Sequence, residues 1–374
     1  MPDGFGNPMN ETFKGRAFST SREGVDGAQK DELVYLLLYD IDYMVTHEAK
    51  NPGTYRCMTT DYIDDSRRIN EEIKQVVLEH PRINPRNVRF FMDPYKLISD
   101  VARRYDRIKC VLNFCDDFSD RTELWSIPVL FEMFKLPYCG YGPKGIQSHN
   151  KFYAYSIAKQ IGVPVPESVY ITKDTANDIK IDQFPVLVKP NDAGGSEGIH
   201  FRNLVHDKGE LEQIIWEMLE SFKELLVCEY LPGDEITIGI MRREDEIIPL
   251  AVKQIQFINF TTDPALYTDD FKWDESLLGH REIRVKIFDG DPAIKEQVVQ
   301  DSITLFKVFQ CKDFARLDWK CDGEGHPKFI DFNENPMFGA ESSFLWCLKH
   351  AGYTRRDLFS IIIDNLLSAI DGRD

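Results

Sequence analysis

The stretch Phe314-Ala-Arg316-Leu-Asp318-Trp319, followed shortly by Phe329-Ile-Asp331-Phe-Asn333, decides how this chain is read. Side chains on a strand alternate faces with a period of two, so Arg316 and Asp318 share a face, as do Asp331 and Asn333. The intervening Asp322-Gly-Glu-Gly325 is turn-forming. A turn centred at Glu324-Gly325 sets Asp318 opposite Asp331 and Arg316 opposite Asn333. Opposed Cβ atoms lie roughly 5 Å apart, where like charges repel. A divalent cation relieves that repulsion, and carboxylate with Asn carbonyl oxygen suits magnesium, whose shell is completed by water and phosphate oxygens. The hairpin reads as a place for a magnesium-loaded nucleotide. Taken alone, it reads equally well as two solvated surface acids.

Length and charge narrow the setting. At 374 residues, two or three subdomains are expected. A net charge of −17, spread along the chain, argues against nucleic-acid binding, which needs a basic stripe. A nucleotide site in this background has to be built from a few lysines and arginines. The cysteines at 57, 110, 115, 139, 228, 311, 321 and 347 contain no C-x2-C pair, so a structural zinc is not expected. Their scatter suggests reduced thiols of a cytoplasmic protein. No long apolar run points to secretion or membrane spanning.

Residues 1–30 read as a flexible tail. Strands at 32–39, 87–92 and 110–114 alternate with helices at 65–79, 95–105 and 123–135, which implies a parallel α/β unit over 31–145. After a helix at 150–161, strands dominate: 168–172, 185–189, 198–202, 225–230, 235–241 and 247–255, with one helix at 208–222. This is an α+β arrangement with an antiparallel sheet. Helices at 292–309, 341–350 and 354–370 surround the opening hairpin. Trp125, Trp216 and Trp346 are expected in the core, and Arg355-Arg356 at a solvated helix start.

Two further motifs carry chemistry. In Pro185-Val-Leu-Val-Lys189-Pro-Asn-Asp-Ala-Gly194-Gly195-Ser196-Glu-Gly198 a strand runs into a glycine-rich loop. Such a loop lets backbone N–H groups cradle an anion, and Lys189 can reach a phosphate. An ordinary hairpin turn with an exposed lysine is the alternative. In Glu229-Tyr230-Leu231-Pro-Gly233-Asp-Glu235 a strand breaks and resumes. Backbone freed at such a break can bond the edge of an adenine, and an acid just past it can take ribose hydroxyls; a plain β-turn is the alternative.

Taken in order, Lys151, the Lys189–Gly198 loop, Glu229–Glu235, Arg316-x-Asp318 and Asp331-x-Asn333 resemble the ATP-grasp superfamily, and within it D-alanine–D-alanine ligases. The resemblance spans roughly residues 135–370 and includes Leu136-Pro-Tyr-Cys-Gly-Tyr-Gly142, Ser148-His-Asn-Lys151 and Tyr267-Thr-Asp-Asp-Phe-Lys272. It implies an ATP-grasp fold of three subdomains: parallel α/β at 31–145, a central ATP-binding α+β unit at 146–233, and a C-terminal α+β unit at 234–374. It implies a ligase joining a carboxylate to an amine through an acyl phosphate. An acyl-phosphate-forming kinase and a degenerate nucleotide-binding module are the rivals. In the implied roles Lys151, Lys189, Gly194, Gly195 and Ser196 hold ATP phosphates. Glu229, Tyr230 and Leu231 line the adenine, and Glu235 holds the ribose. Asp318, Asp331 and Asn333 bind two magnesium ions, for which manganese could substitute. Arg316 steadies the anionic intermediate, Lys272 closes over the γ-phosphate from a lid, and Ser342 meets the second substrate's carboxylate. The partners implied are a small carboxylic acid and an amine; relatives are often dimers, which makes a homodimer one possible assembly.

The N-terminal third departs from that family. Leu38-Tyr-Asp40-Ile-Asp42 lacks the expected glycine pair, and Asn113-Phe-Cys-Asp116-Asp-Phe-Ser-Asp120-Arg121 replaces a His-Gly-x-x-Gly-Glu-Asp-Gly loop. In that family those segments meet the first substrate, so the resemblance does not carry D-alanine over and leaves the acid open. Asp331 also replaces the usual Glu, and Gly195 a common Ser.

Overall fold

The computed structural model describes residues 32–372 apart from 39, 51–59, 116–125, 144–146, 195, 261–263, 267 and 269–281. The expected N-terminal tail, the start of the 123–135 helix, Trp125, Gly195 and the lid residues Tyr267 and Lys272 lie outside the described residues.

The first layer is a parallel sheet of β1 (Leu33–Leu37), β2 (Val88–Phe91) and β3 (Ile108–Asn113), ordered β2-β1-β3. Every β1 side chain is buried, as a strand covered on both faces requires. Helices α1 (Ile41–Lys50), α2 (Thr60–Glu79), α3 (Pro94–Arg104) and α4 (Ser126–Met133) belong to this layer. In α2 the buried Ile69, Ile73, Val76 and Val77 recur at helical spacing and form the inward stripe. Asp93 caps α3 by accepting from the Tyr95 and Lys96 amides, with Pro94 in the first turn.

After α5 (Lys151–Gln160), strands β4 (Ser168–Thr172), β5 (Val186–Pro190), β6 (Leu204–Val205) and β7 (Glu224–Glu229) form an antiparallel sheet ordered β4-β7-β5-β6, with α6 (Lys208–Met218) packed against it. A second antiparallel sheet follows: β8 (Glu235–Arg243), β9 (Glu246–Ile258), β10 (Glu282–Ile287), β11 (Phe314–Cys321) and β12 (Pro327–Asn333), ordered β10-β9-β8-β11-β12. Thus the strand-rich half holds two antiparallel sheets, where a single one was expected. Helix α7 (Pro292–Val308) sends Val298, Leu305 and Phe306 into a core with Trp319, Phe329 and Phe332 of the hairpin and Ala154, Tyr155 and Ala158 of α5. Helices α8 (Ser343–His350) and α9 (Arg355–Asp371) close the chain. Phe359, Ile362 and Ile363 of α9 share a core with Val34, Leu36 and Ile73, so the end of the chain packs on the first layer.

Three local expectations are corrected. Residues 198–202 are not a strand: Gly198 turns with φ +70°, a short 3₁₀ turn covers Phe201–Asn203, and pairing begins only at Leu204. Trp216 is 43 % exposed and does not belong to the core. Arg355 is not solvated; it is mostly buried and pairs with Glu72 at 2.8 Å and Asp65 at 3.7 Å of α2, while Arg356 stays on the surface beside Glu79.

Candidate active site

The register of β11 and β12 pairs Asp318 with Asp331 and Arg316 with Asn333. Apolar Leu317, Trp319, Phe329 and Phe332 are buried in the core on the far side, which fixes the face on which the polar residues stand. Arg316 donates twice to Asp318 Oδ2, from Nε at 3.1 Å and Nη2 at 2.9 Å, and Thr237 of β8 donates to Asp318 Oδ1 at 2.8 Å. Asn333 Nδ2 lies 3.3 Å from Asp318 Oδ2 and 3.4 Å from Asp331 Oδ2. Three oxygen-bearing side chains therefore converge on one point.

Cations surround that point. Lys151 at the start of α5 is buried; its Nζ lies 3.6 Å from Asp331 Oδ1 and donates to the Ala193 carbonyl at 2.7 Å, which ties the glycine loop to the hairpin. Burial alone raises the Asp331 carboxyl pKa, but Lys151, Arg316, His149 and Lys189 overcome it and hold the group below the ordinary carboxylate range. Burial works to lower the Arg316 pKa, and Asp318 and Asp331 raise it beyond its usual value.

Lys189 ends β5 and is also buried. Its ammonium donates to the Tyr155 hydroxyl at 2.8 Å, and that hydroxyl donates to the Ile330 carbonyl at 2.8 Å. Tyr155 thus couples β5 of one sheet to β12 of the other. The loop beyond Lys189 is pinned by Asn191, which is fully buried. Its side chain accepts from the Phe152 amide and donates to Glu224, and its carbonyl accepts from the Lys151 amide. Gly194 and Ser196 lie in tight turns of this loop, Ser196 with φ +67°.

On the other side, Glu229 accepts from the Glu167 amide and is engaged by Lys328, while the Tyr230 hydroxyl accepts from the Ala265 amide at 2.7 Å. Leu231 is buried. Glu235 pairs with Lys320 at 3.3 Å, and Lys320 also donates to the Ala265 carbonyl. The segment after β9 is therefore held against the strand break from two directions. Ser342 caps α8 by accepting from the Leu345 amide at 3.2 Å. Asp42 is an exposed residue of α1 paired with Arg67 at 2.8 Å.

Comparison with known proteins identifies the family and the fold. The family described as D-ala D-ala ligase C-terminus matches residues 157–364. An uncharacterised protein of Sinorhizobium fredii is 25 % identical over 257 residues, 68 % of this chain and 73 % of that protein. A D-alanine–D-alanine ligase of Aquifex aeolicus is 24 % identical over 236 residues, 63 % of this chain and 75 % of that protein. The crystal structure of D-alanine–D-alanine ligase from Bacillus anthracis complexed with ATP superposes with a TM-score of 0.61 at 17 % identity, covering 92 % of this chain and all of that one.

The chain belongs to the D-alanine–D-alanine ligase-like ATP-grasp family. Its fold is the ATP-grasp fold. Whether the residues of this ATP-grasp chain suit a hard divalent cation is tested by their contacts. Asp318, Asp331 and Asn333 offer oxygens only, and a half-turn of the Asn333 amide sets its Oδ1 where Nδ2 meets both carboxylates. The donor set fits magnesium. The sequence motifs bring together Lys151, Lys189, Arg316, Asp318, Asp331 and Asn333, with Glu235 one strand away. They miss Tyr155, Asn191, Thr237 and Lys320, which position the others. A tyrosine or lysine within an amphipathic element carries no local signal; only the register of β8 with β11 reveals Thr237 opposite Asp318 and Glu235 opposite Lys320.

Proposed function

We propose that this ATP-grasp enzyme forms an amide bond between a carboxylic acid and an amine, using ATP and releasing ADP. The observation that carries the reading is the convergence of Asp318, Asp331, Asn333, Arg316 and Lys151 on one face, with Lys189 joined to it through Tyr155.

The acid's oxygen attacks the γ-phosphorus of ATP, ADP leaves, and an acyl phosphate forms. The amine then attacks the acyl carbon, phosphate departs with the former carboxylate oxygen, and the amine proton passes to solvent or base. Phosphoryl transfer asks mainly for positioning and charge neutralisation. Lys151 and Lys189 hold the phosphates from two sides, and the 194–198 loop lies over them. Arg316, fixed by Asp318, faces the charge that develops on the acyl carbon's oxygens. Tyr230, Leu231 and Glu229 border the adenine, and Glu235 holds the ribose. Asp318, Asp331 and Asn333 would hold magnesium, which when bound would supply Lewis-acid neutralisation of phosphate oxygens. The acyl phosphate has to be kept from water, the role expected of Lys272, which lies outside the described residues. The segments that meet the first substrate in this family diverge here in sequence, so the identity of the acid is left open and D-alanine is not carried over. The seven described cysteines are free and buried, and no described helix is long and apolar enough to cross a membrane, which suits a cytoplasmic enzyme.

The test is ADP release from Mg-ATP across a matrix of acids and amines. Release that needs both partners, with an amide product of matching mass, is expected. Release that needs the acid alone overturns the amide-forming step, and no release with any pair overturns the ligase reading.

A further inference from the structure

The charge of the chain is unevenly placed. Residues 82–109 carry eight lysines and arginines against three aspartates, a local charge of +5 in a chain whose total is −17. So acidic a chain repels anions at long range, and positive charge gathered in one stretch is the exception to that. The stretch spans β2 and α3 of the first layer, and β2 is the edge strand of its sheet.

Helical spacing organises these charges. On α3, Leu97 and Val101 are buried in a core with Tyr35, while Lys96, Ser99, Asp100 and Arg103 follow at three- and four-residue steps along the adjoining face. Arg89 of β2 stands beside Tyr35 in the register and projects from the side of the sheet that α3 covers. Between β2 and α3 lies a pocket of about 520 Å³, within the size range of small-molecule sites. Arg89, Lys96, Arg103 and Arg104 line it, against the single carboxylate of Asp100.

The cations exceed the acids that could neutralise them. Asp100 is already committed: it accepts from the Tyr35 hydroxyl and meets Arg104 Nε at 3.1 Å. Lys96 has Asp93 at 3.4 Å, an exposed pair of small energy. Arg89 and Arg103 are held by neutral partners instead. Arg89 Nη1 donates to the Arg86 and Val88 carbonyls at 3.2 and 3.1 Å, and Arg103 Nε donates to the Ser99 carbonyl at 3.0 Å. Among the described residues, neither lies within ion-pair distance of a carboxylate. Covering the open edge of the sheet accounts for one nitrogen of Arg89 and for none of the charges on α3. A guanidinium fixed through one nitrogen presents the rest of its fork to an oxyanion with little further ordering. Aromatic surface lies in the same pocket: Tyr95 is 74 % exposed and Phe90 43 %. Such rings offer a face to a planar group.

We infer that the β2–α3 pocket is a second ligand site, which takes a phosphate monoester of nucleotide size, with the phosphate held by Arg89 and Arg103 and a planar ring laid against Tyr95 and Phe90. Lys96 and Arg104 add positive charge around the phosphate. The pocket is lined by β2 and α3 alone and shares no residue with the site on the hairpin, so the inference does not depend on the ligase reading.

The experiment is isothermal titration calorimetry of the full chain, without magnesium, using AMP, ribose 5-phosphate and adenosine as probes. AMP should bind, ribose 5-phosphate more weakly, and adenosine not measurably. The AMP affinity should fall as salt rises, because the pocket is open to solvent. Arg89→Gln and Arg103→Gln should each weaken AMP roughly 10- to 100-fold, the range of a charge-assisted hydrogen bond. Both arginines are exposed, so the melting temperature should not change. Arg103→Glu, on the helix surface, repeats the test where an Arg89 variant does not fold. Tyr95→Ala should narrow the gap between AMP and ribose 5-phosphate without weakening the latter. Glu235→Gln, at the proposed ribose acid of the other site, should leave this AMP binding as it is. Absence of AMP binding overturns the inference, as does AMP binding that survives the arginine changes or is lost in Glu235→Gln. Equal affinity for adenosine and AMP overturns it as well, because the phosphate would then not be what is recognised.

Discussion

Replacing Asp318 by Asn separates the catalytic charge from the stability of the hairpin. In the wild type Arg316 makes two bonds to Asp318 Oδ2, and the pair is mostly buried, at 15 % and 20 % side-chain exposure. Asn keeps one oxygen for Arg316, and its Nδ2 can donate to the Thr237 hydroxyl, which then accepts in place of donating, but the charge is lost. A hydrogen bond to a charged group contributes about 1 kcal/mol more than a neutral one, so the two Arg316 bonds together lose about 2 kcal/mol. The same change removes the repulsion between Asp318 and Asp331. At roughly 5 Å and an effective dielectric of about 20, that repulsion is on the order of 3 kcal/mol. The terms nearly cancel, and the expected change in unfolding free energy is within about 1 kcal/mol of zero. Turnover should fall by at least 10²–10³-fold, the scale set by removing one preorganised charge-stabilising group. Chemical denaturation monitored by tryptophan fluorescence reads the first quantity, and a coupled ADP assay the second. A variant that unfolds several kcal/mol more easily shows that the acids are there for structure. One that turns over at the wild-type rate shows that the hairpin does not hold the nucleotide's metal.

Lys189→Met removes a buried cation whose ammonium donates to Tyr155 and which is proposed to hold phosphate, and should raise KM for ATP on the order of 10- to 100-fold, read from ADP-release kinetics; an unchanged KM contradicts the proposed role. Gly233→Ala puts a Cβ 2.7 Å from Cys321 Cβ and 2.9 Å from the Asp322 carbonyl oxygen, so the strand break must shift from the hairpin. A loss of roughly 1–3 kcal/mol is expected from denaturant melts, and an unaffected variant shows that the close approach is absent in solution. Asp313 is buried, and desolvation, opposed by the Gly140 amide, Lys312, Asn365 and Arg242, pushes its pKa up to about 6. A folded pKa above the unfolded one means that the folded state binds the extra proton, so stability falls as pH rises from about 4 through 6. A shift of about two units corresponds to roughly 3 kcal/mol. Asp313→Asn should therefore gain on the wild type above pH 6 and lose that advantage toward pH 4, and a pH-independent difference contradicts the burial argument.

How much of this was legible in the sequence depends on whether the signal was local. Alternation gave the facing of Asp318 with Asp331 and of Arg316 with Asn333, and both pairs are present, but the register shifts just beyond Asp318: Trp319 pairs with Phe329 and Cys321 with Pro327, so the arms do not close around Glu324-Gly325 as expected. The strand expected at 168–172 and the helices expected around 292–309 and 354–370 are present, and the structure adds that Thr354 caps the last of them in a reciprocal pair with Asp357. The 198–202 segment misled because Ile199 and Phe201 alternate with polar residues as a strand would. Gly198 and Ser196, both at positive φ, instead fold it into successive turns over the sheet. Tyr155 was invisible for a different reason. It lies within a regular element and acquires its role from elements distant in sequence, β5 and β12. Arg355 looked solvated because its partners, Glu72 and Asp65, lie far back in α2.

The most direct test of the central claim follows the oxygen of the acid. With the acid's carboxylate labelled with ¹⁸O, unlabelled Mg-ATP and the amine substrate, passage through an acyl phosphate carries one labelled oxygen into inorganic phosphate for each amide formed. Mass spectrometry of the released phosphate should find that label in equal amount to the product. Amide formation with unlabelled phosphate contradicts the account, because the γ-phosphoryl group would then never have been joined to the acid.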